Sequence, residues 1–570
     1  MQKSKQSGFP PFYDGVFGLM LLGVLLYLAA LPPLEFWGLA WLVAACWTPL
    51  IRRKTLLSAQ WIPDPPVETQ KTKRKRSFFR GRPYRQIWLA GVIFWGVAVH
   101  WVCFPHWATC FGWFALCCYL GIYFPLFVVF ARLLHHTSVF GKRLFPVWLA
   151  APIAYLAATY LQKTLMGGFG FALLEHTQMR QISLIQIADI GGESLVGAVM
   201  IFVGVLFGYC LPVHMPRNGS QNENRYPFSA KRRICCVVCT VATFTLLICY
   251  AKFRDSQCQP SDRPPLNVAL LQGNYKASLS APAEWYDKVF ENYTRMAIEA
   301  AHDDERETDL IIWPESTCTY SWVDVDLSET VTPEFADMVQ QNKNEILSKK
   351  NQTLLQISQH LGTPCIYGTP SYVFSEKNDD YFSYNSALLI ENVDSLSYDS
   401  DQRERIRVTD FSRYDKMLLV MFGEYLPLTE YLPERFFLKT LCQRADFGKQ
   451  PVGFVLHKKI GDGDDRAIDD PAKTVDYVAS ANICFESSSS RVLRQQVLQL
   501  KKQGQKPDFL INISNDGWFR HSSQIDMHLA THVFRAIENR MPYLAATNGG
   551  FSAGIDGSGN ILGIGQRNHN

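Results

Sequence analysis

The segment Asp309-Leu-Ile-Ile-Trp-Pro-Glu-Ser316 decides how this chain is read. Leu310–Trp313 is a short apolar run with two β-branched residues, and the Trp-Pro that closes it stops any further ladder because proline has no N–H to give. It reads as a buried strand that delivers Glu315 to its end, where a carboxylate can act as a base. The segment Asn482-Ile-Cys-Phe-Glu486 has the same form, with polar residues after it. Cys484 is therefore expected on a strand-to-helix turn with its sulfur exposed, where helix N-terminal amides lower a thiol pKa and can hold an oxyanion.

Between them lies Tyr414-Asp-Lys-Met-Leu-Leu-Val-Met-Phe-Gly-Glu-Tyr-Leu-Pro427, which carries Lys416. An ammonium beside both groups would stabilise thiolate and tetrahedral oxyanion while Glu315 takes and returns the proton. Taken singly, a Cys in an apolar strand is usually a packing residue, and a Lys near a Glu is usually a surface ion pair. It is the order Glu, Lys, Cys and the setting of each that make the three a candidate acyl-transfer site.

The first half of the chain is of another kind. Of 570 residues, 48% are apolar and 13% aromatic, and seven strongly apolar segments crowd the N-terminal side: Gly15–Ala30, Phe36–Leu50, Ile87–Phe104, Ala108–Leu134, Phe145–Leu161, Leu195–Leu211 and Cys235–Tyr250. Several are near the ~17-residue lower limit for a span. The basic start and apolar core of the first resemble a signal peptide, but its Leu-Pro-Pro ending and the spans that follow favour a retained helix. Lysine and arginine concentrate in alternate loops: Lys3 and Lys5, Arg52–Lys54 with Lys71–Arg76, Arg132 with Lys142 and Arg143, and Lys231–Arg233. The positive-inside rule places these in the cytoplasm and, after seven crossings, everything beyond about Arg254 outside it. The expected layout is residues 1–254 as a membrane domain of about seven transmembrane helices and residues 255–570 as an extracytoplasmic catalytic domain.

The cluster Lys71–Arg76, beside a span, reads as a topology marker that touches anionic lipid rather than as a nucleic-acid patch, and a net charge of +4 adds nothing to a nucleic-acid reading. The spacing Cys236-x-x-Cys239 falls inside an apolar span without His or carboxylate nearby, so neither metal nor any other cofactor is expected. The C-terminal half holds Cys258, Cys318, Cys365, Cys442 and Cys484, an odd number that leaves a thiol unpaired in an oxidising compartment. Cys484 is the candidate, and Cys318 reads as packing. Apolar runs at Asn267–Leu271, Leu310–Trp313, Pro364–Tyr367, Ser386–Ile390 and Phe509–Ile513 alternate with helical patterns at Trp285–Ala301, Ile346–Leu361, Arg491–Gln503 and Ile525–Arg540, which is an α/β layered pattern. Ser375–Tyr381 and Gly461–Lys473 read as polar surface insertions.

Glu315, Lys416 followed by Phe-Gly-Glu-Tyr-Leu-Pro, then Cys-Phe-Glu resembles the carbon–nitrogen hydrolase (nitrilase) superfamily. Behind a multi-span region, it is similar to the bacterial apolipoprotein N-acyltransferase family. Leu271–Asn274 resembles that family's first strand and loop, and Trp285 stands where the family has an important Trp. Glu424 and Glu486 match two accessory glutamates thought to hold Lys and Cys in place. Asn512–Phe519 and His528–Gly550, with Arg535, Glu538 and Arg540, match a strand, a helix and a further strand. The resemblance implies an α-β-β-α sandwich, which periodicity alone could not show, and a ping-pong transfer. Cys484 would take an acyl chain from a membrane phospholipid and pass it to the amino group of diacylglyceryl-cysteine in apolipoproteins, at the bacterial inner membrane with the catalytic domain on the periplasmic side. The family commonly has Tyr where Phe485 stands, so a hydroxyl contact is missing while the aromatic face survives. It also continues through further strands into an eighth membrane helix, whereas this sequence stops at Asn570, so either the sequence is incomplete or that anchor is absent. Leu426–Phe447, with Tyr431, Leu432, Phe436, Phe437 and Leu438, reads equally as a lid that touches lipid or as a packed helix. A membrane-tethered amidase would use the same three residues and give the thioester to water.

Overall fold

The computed structural model describes residues 15–53, 56, 82–139, 142–210, 230–257, 262–278, 281–303, 307–325, 351–375, 380–396, 405–427, 431, 442, 444–459 and 474–566. Lys3, Lys5, Lys54, Lys71–Arg76, Cys258, Leu432, Phe436, Phe437, Leu438, most of Ser375–Tyr381 and all of Gly461–Lys473 lie outside the described residues. The chain divides into two compact units, Met1–Gln257 and Cys258–Asn570.

In the first unit, helices occupy each of the apolar segments: α1 (Val16–Ala30), α2 (Val43–Arg52), α3 (Pro83–Ala98), α4 (Thr109–Leu120), α5 (Tyr123–His136), α6 (Val147–Thr164), α7 (Glu193–Cys210) and α8 (Ala230–Ser256). Among the described residues, three stretches are long and apolar enough to cross a membrane: Thr109–His136, which runs through α4 and α5, then α7 and α8. The outward face of α8 is apolar, with Ile234, Val237, Val238, Val241 and Leu246 exposed, as lipid contact favours and water does not. Where α2, α6 and α7 meet, small residues permit close approach. A side chain at Gly204 would collide with Trp41 and Ala44, and one at Gly208 with Thr48.

The segment between α6 and α7, which shows no apolar periodicity, is folded into this unit rather than left as a surface loop. Glu175, His176 and Glu193 are fully buried there. Lys163 Nζ lies 2.6 Å from Glu193 Oε1, His176 Nε2 lies 2.9 Å from Glu193 Oε2, and Tyr155 donates its hydroxyl to Glu175. Charges in so apolar a setting persist only when paired.

The second unit is a four-layer sandwich. Its first sheet comprises β1 (Val268–Leu270), β2 (Leu310–Ile312), β3 (Trp322–Val325), β4 (Cys365–Ser375), β5 (Asp380–Leu396) and β6 (Arg405–Asp415), in the order β1-β2-β4-β5-β6 with β3 also paired to β4. The second comprises β7 (Gly453–Lys459), β8 (Thr474–Ile483), β9 (Phe509–Asn515), β10 (Tyr543–Asn548), β11 (Ala553–Ile555) and β12 (Ile561–Ile564), in the order β12-β11-β10-β9-β8-β7. The strands β1, β2 and β4 run parallel, as do β8, β9 and β10, with antiparallel neighbours beyond.

Strand alternation sorts the apolar side chains into layers. Leu310 and Ile312 face the second sheet and pack with Ile366, Leu389, Ile483, Ile511 and Ile513 in the core between the sheets. Ile311 and Trp313 face the other way, onto α9 (Ala283–Ala301) and α10 (Gln352–Leu361), where Tyr293 stacks on Trp313 at 5.7 Å. The opposite outer layer is α11 (Ser490–Lys502) and α12 (Gln524–Asn539), which bury Val497, Leu500, Val533 and Phe534. Strands β4 and β5 extend far beyond the short apolar runs read from the sequence, because their outer halves pair with each other as a hairpin rather than burying two apolar faces. Strands β3, β6 and β7 were not legible as apolar runs at all.

Truncating Ile511, which is fully buried between the sheets, is expected to cost about 2–5 kcal/mol in Ile511→Ala, the range for a buried Ile that leaves a cavity. A lowered denaturant midpoint of the purified full chain, with unchanged far-UV circular dichroism, checks this.

Candidate active site

Three strand ends meet in one place. Glu315 follows β2 and is buried, Lys416 follows β6 and is 1% exposed, and Cys484 follows β8 at the start of a single 3-10 turn, Cys484–Ser488. The Lys416 ammonium donates to Glu315 Oε1 at 3.0 Å and to Glu424 Oε1 at 2.7 Å. Asn385 on β5 bridges the same two carboxylates, its Nδ2 lying 2.7 Å from Glu315 Oε1 and 2.9 Å from Glu424 Oε1. The other Glu315 oxygen accepts the Asn515 amide at 3.0 Å, and the other Glu424 oxygen accepts the Val420 amide at 2.8 Å.

Burial works to lower the Lys416 pKa, but Glu315 and Glu424 outweigh it and hold the ammonium well above the ordinary lysine value. Lys416 is therefore a permanent cation. The Cys484 thiol is pushed well above its ordinary value, first by burial and then by the Glu315 charge, with Lys416 opposing. This departs from the expectation of an exposed sulfur with a lowered pKa: Cys484 is half-buried in a densely packed site, and the resting group is the thiol. A thiol in that state would need a neighbouring carboxylate to take its proton before it could act as a nucleophile.

Glu486 ties the Cys484 turn to the lysine loop. Its Oε2 accepts the Ile483 amide at 2.7 Å, while Oε1 accepts the Met417 and Leu418 amides at 2.7 and 2.9 Å. Tyr414, the residue two before the lysine, donates its hydroxyl to the same carboxylate at 2.8 Å. One buried side chain thus ties the backbone just after Lys416 to the backbone just before Cys484. The Cys484 backbone is left-handed, with φ of 49°, so the turn needs such support.

Trp285 is not brought against the three central residues. It lies on α9, edge-on to Tyr275 at 5.7 Å. The link to the site is indirect, because Asn548 accepts the Tyr275 amide and donates to Asn515, whose amide reaches Glu315. Cys318 lies in the core behind β2, its thiol directed at the Tyr320 carbonyl. Of the stretch Leu426–Phe447, Tyr431 is 81% exposed, and Phe447 packs edge-on to Tyr425 at 5.0 Å. Sequence reasoning passed over Asn385 and Tyr414. Asn385 sits in an unremarkable strand, and only its pairing across β5 and β6 reveals it.

Burial raises Glu486 from 4.5 to about 7, while the Ile483 and Leu418 amides act against that rise. A carboxyl raised in the folded state stabilises fully below its unfolded value, and the contribution is lost as pH climbs through the folded value. Raising the pH from about 5 to about 8 is therefore expected to cost the wild type roughly 2.5 kcal/mol that Glu486→Gln does not lose. Unfolding midpoints of both proteins across that range provide the check.

Residues 267–569 match the carbon–nitrogen hydrolase family, and residues 22–206 match the apolipoprotein N-acyltransferase N-terminal domain. Relatives include the apolipoprotein N-acyltransferase of Geobacter metallireducens, 26% identical over 72% of this chain and 65% of that protein. Those of Rhodopirellula baltica and Bdellovibrio bacteriovorus are 24% and 25% identical over 84% and 92% of this chain, and 81% of each relative. The chain thus spans just under two thirds of the Geobacter protein and about four fifths of the other two. With the first match covering more than half of its length, the chain belongs to the carbon–nitrogen hydrolase family and carries the N-terminal domain of the apolipoprotein N-acyltransferases.

Proposed function

We propose that this protein is an apolipoprotein N-acyltransferase that works through a Cys484 thioester. The observation that carries the reading is a permanently charged, buried Lys416 clamped by Glu315 and Glu424 beside Cys484, in a chain whose other half is a bundle of apolar helices. In the first half-reaction Glu315 takes the thiol proton as sulfur attacks the ester carbonyl of a phospholipid. The carbon–sulfur bond forms, and Lys416 and the turn amides face the oxyanion. The ester carbon–oxygen bond then breaks, Glu315 returns the proton to the leaving alkoxide, and a lysophospholipid departs. In the second, the neutral α-amino group of a diacylglyceryl-cysteine attacks the thioester and Glu315 accepts its proton; as the carbon–nitrogen bond forms the carbon–sulfur bond breaks, and Glu315 passes the proton to the departing sulfur, restoring the thiol.

Both substrates reside in the bilayer, which accounts for joining such a site to apolar helices. The lysine and arginine distribution supports about seven crossings by residues 1–254, with residues 255–570 on the periplasmic face of the inner membrane. Thiol labelling from each side should find Lys71–Arg76 cytoplasmic and the region after Arg254 external; labelling of both from one side would overturn the topology.

Cys484→Ala should abolish transfer, and Glu315→Gln or Lys416→Ala should each slow thioester formation by roughly 10²–10³, the usual cost of losing one such group. Intact-mass spectrometry after incubation with phosphatidylethanolamine vesicles should show the acyl-enzyme in the wild type. That species should persist, then discharge on addition of a diacylglyceryl-cysteinyl peptide with a free amino terminus, and stay loaded with its N-acetylated form. Rapid discharge to free fatty acid without peptide would make the protein a hydrolase instead.

A further inference from the structure

Behind the Cys484 turn lies a second ionic pair that the mechanism above does not use. His528 on α12 and Asp516, in the turn after β9, are both buried, and His528 Nδ1 is 3.0 Å from Asp516 Oδ2. On its other side, His528 Nε2 is 3.3 Å from the Cys484 carbonyl oxygen and 2.9 Å from Ser487 Oγ. Asn512 Nδ2 also donates to that carbonyl at 3.3 Å.

Counting protons along this chain fixes the charge of the ring. Thr531 spends its single hydroxyl proton on the His528 carbonyl at 2.7 Å. At the 3.1 Å contact between Ser487 and Thr531, Ser487 is therefore the donor. With that proton committed, the Ser487 oxygen can only accept from His528 Nε2, as the Cys484 carbonyl must. Asp516 Oδ1 meanwhile accepts from Ser514 at 3.0 Å and Gln524 at 3.1 Å, donors that favour a hydrogen on Nδ1 rather than on the acid. Both ring nitrogens donate.

The charged neighbours agree. Burial lowers the His528 pKa, but Asp516 outweighs it, with a further contribution from Glu315, and the group lies above the usual imidazole value. From its own helix His532 lies against it, tilted, with ring centroids 4.5 Å apart, and is kept neutral by burial, by His528 and by Arg535.

We propose that His528, held doubly protonated by Asp516, is a positioning residue that pins the Cys484 carbonyl inward and so aims the Phe485 amide at the oxyanion. In a planar trans peptide the C=O and the following N–H point in opposite directions, so a carbonyl tied into the interior turns the amide towards the reacting side. The same tie supports the left-handed φ of 49° at Cys484. This rests on Cys484 being the nucleophile but on no particular acyl donor.

The test therefore uses p-nitrophenyl butyrate, an activated ester that needs only a thiol and an oxyanion site, with the full chain in detergent. His528→Leu should slow the p-nitrophenolate burst by about 10²-fold, the cost of a misdirected oxyanion donor, with little change in the half-saturating ester concentration. Alkylation of Cys484 by iodoacetamide, which forms no oxyanion, should change far less. His528→Gln, which keeps an N–H donor, should recover part of the burst. Histidine ¹⁵N spectra of the wild type near neutral pH should show one ring with both nitrogens protonated, lost in Asp516→Asn. An unchanged burst in His528→Leu and His528→Gln, an equal loss of burst and alkylation in both, or a wild type with no doubly protonated ring would overturn the proposal. A burst surviving in Cys484→Ala would instead overturn the nucleophile assignment beneath it.

Discussion

A lysine ammonium 1% exposed in the interior of an α/β domain is the constraint on which the rest of the site depends. Removing such an ion from water costs several kcal/mol, and the loss is offset only by close, well-directed opposite charge. Lys416 meets that condition with Glu315 and Glu424, and each carboxylate is in turn held by Asn385 and a backbone amide. The arrangement leaves a net negative environment around a thiol. That is why Cys484 rests protonated, and why a base and a fixed cation are both present beside it.

The sandwich makes this possible by strand direction. In the first sheet β2 and β6 run the same way, with β5 reversed between β4 and β6. Their C-terminal ends carry Glu315 and Lys416 to one edge. In the second sheet β8, β9 and β10 are parallel, and their ends carry Cys484, Asn515 and Asn548 to the same edge. Function at the carboxyl ends of parallel strands follows because the chain leaves each strand there in a loop or helix N-terminus with unspent amides. Gly368 on β4 shows how tight the convergence is: any side chain there would collide with Pro314 and Glu315.

Around this edge lie two shells of buried ionisable groups with different tasks. Glu486 and Tyr414 bind the lysine loop to the nucleophile turn, and Asp516 and His528 back the turn from the helical side. The apolar unit follows the same rule: Lys163, Glu193 and His176 are kept within it by one another. In both units a charge away from water is retained only inside a closed set of partners.

The amino-acid sequence was enough to divide the chain into an apolar helical half and an α/β half, and to single out Glu315, Lys416 and Cys484. Apolar runs, helical periodicity and strand-ending motifs are local, and each of the three residues stood out by its own neighbours. Glu424 and Glu486 were legible through the family resemblance, and their contacts give them the physical reason. What only the tertiary structure decided is non-local. Strands β3, β6 and β7 lack the apolar runs that mark buried strands, and β4 and β5 outgrow theirs by pairing with each other. Asn385 and His528 acquire their meaning from residues 70 and 44 positions away. The raised thiol pKa depends on how much water and which charges surround Cys484, a property of packing that no run of neighbouring residues encodes.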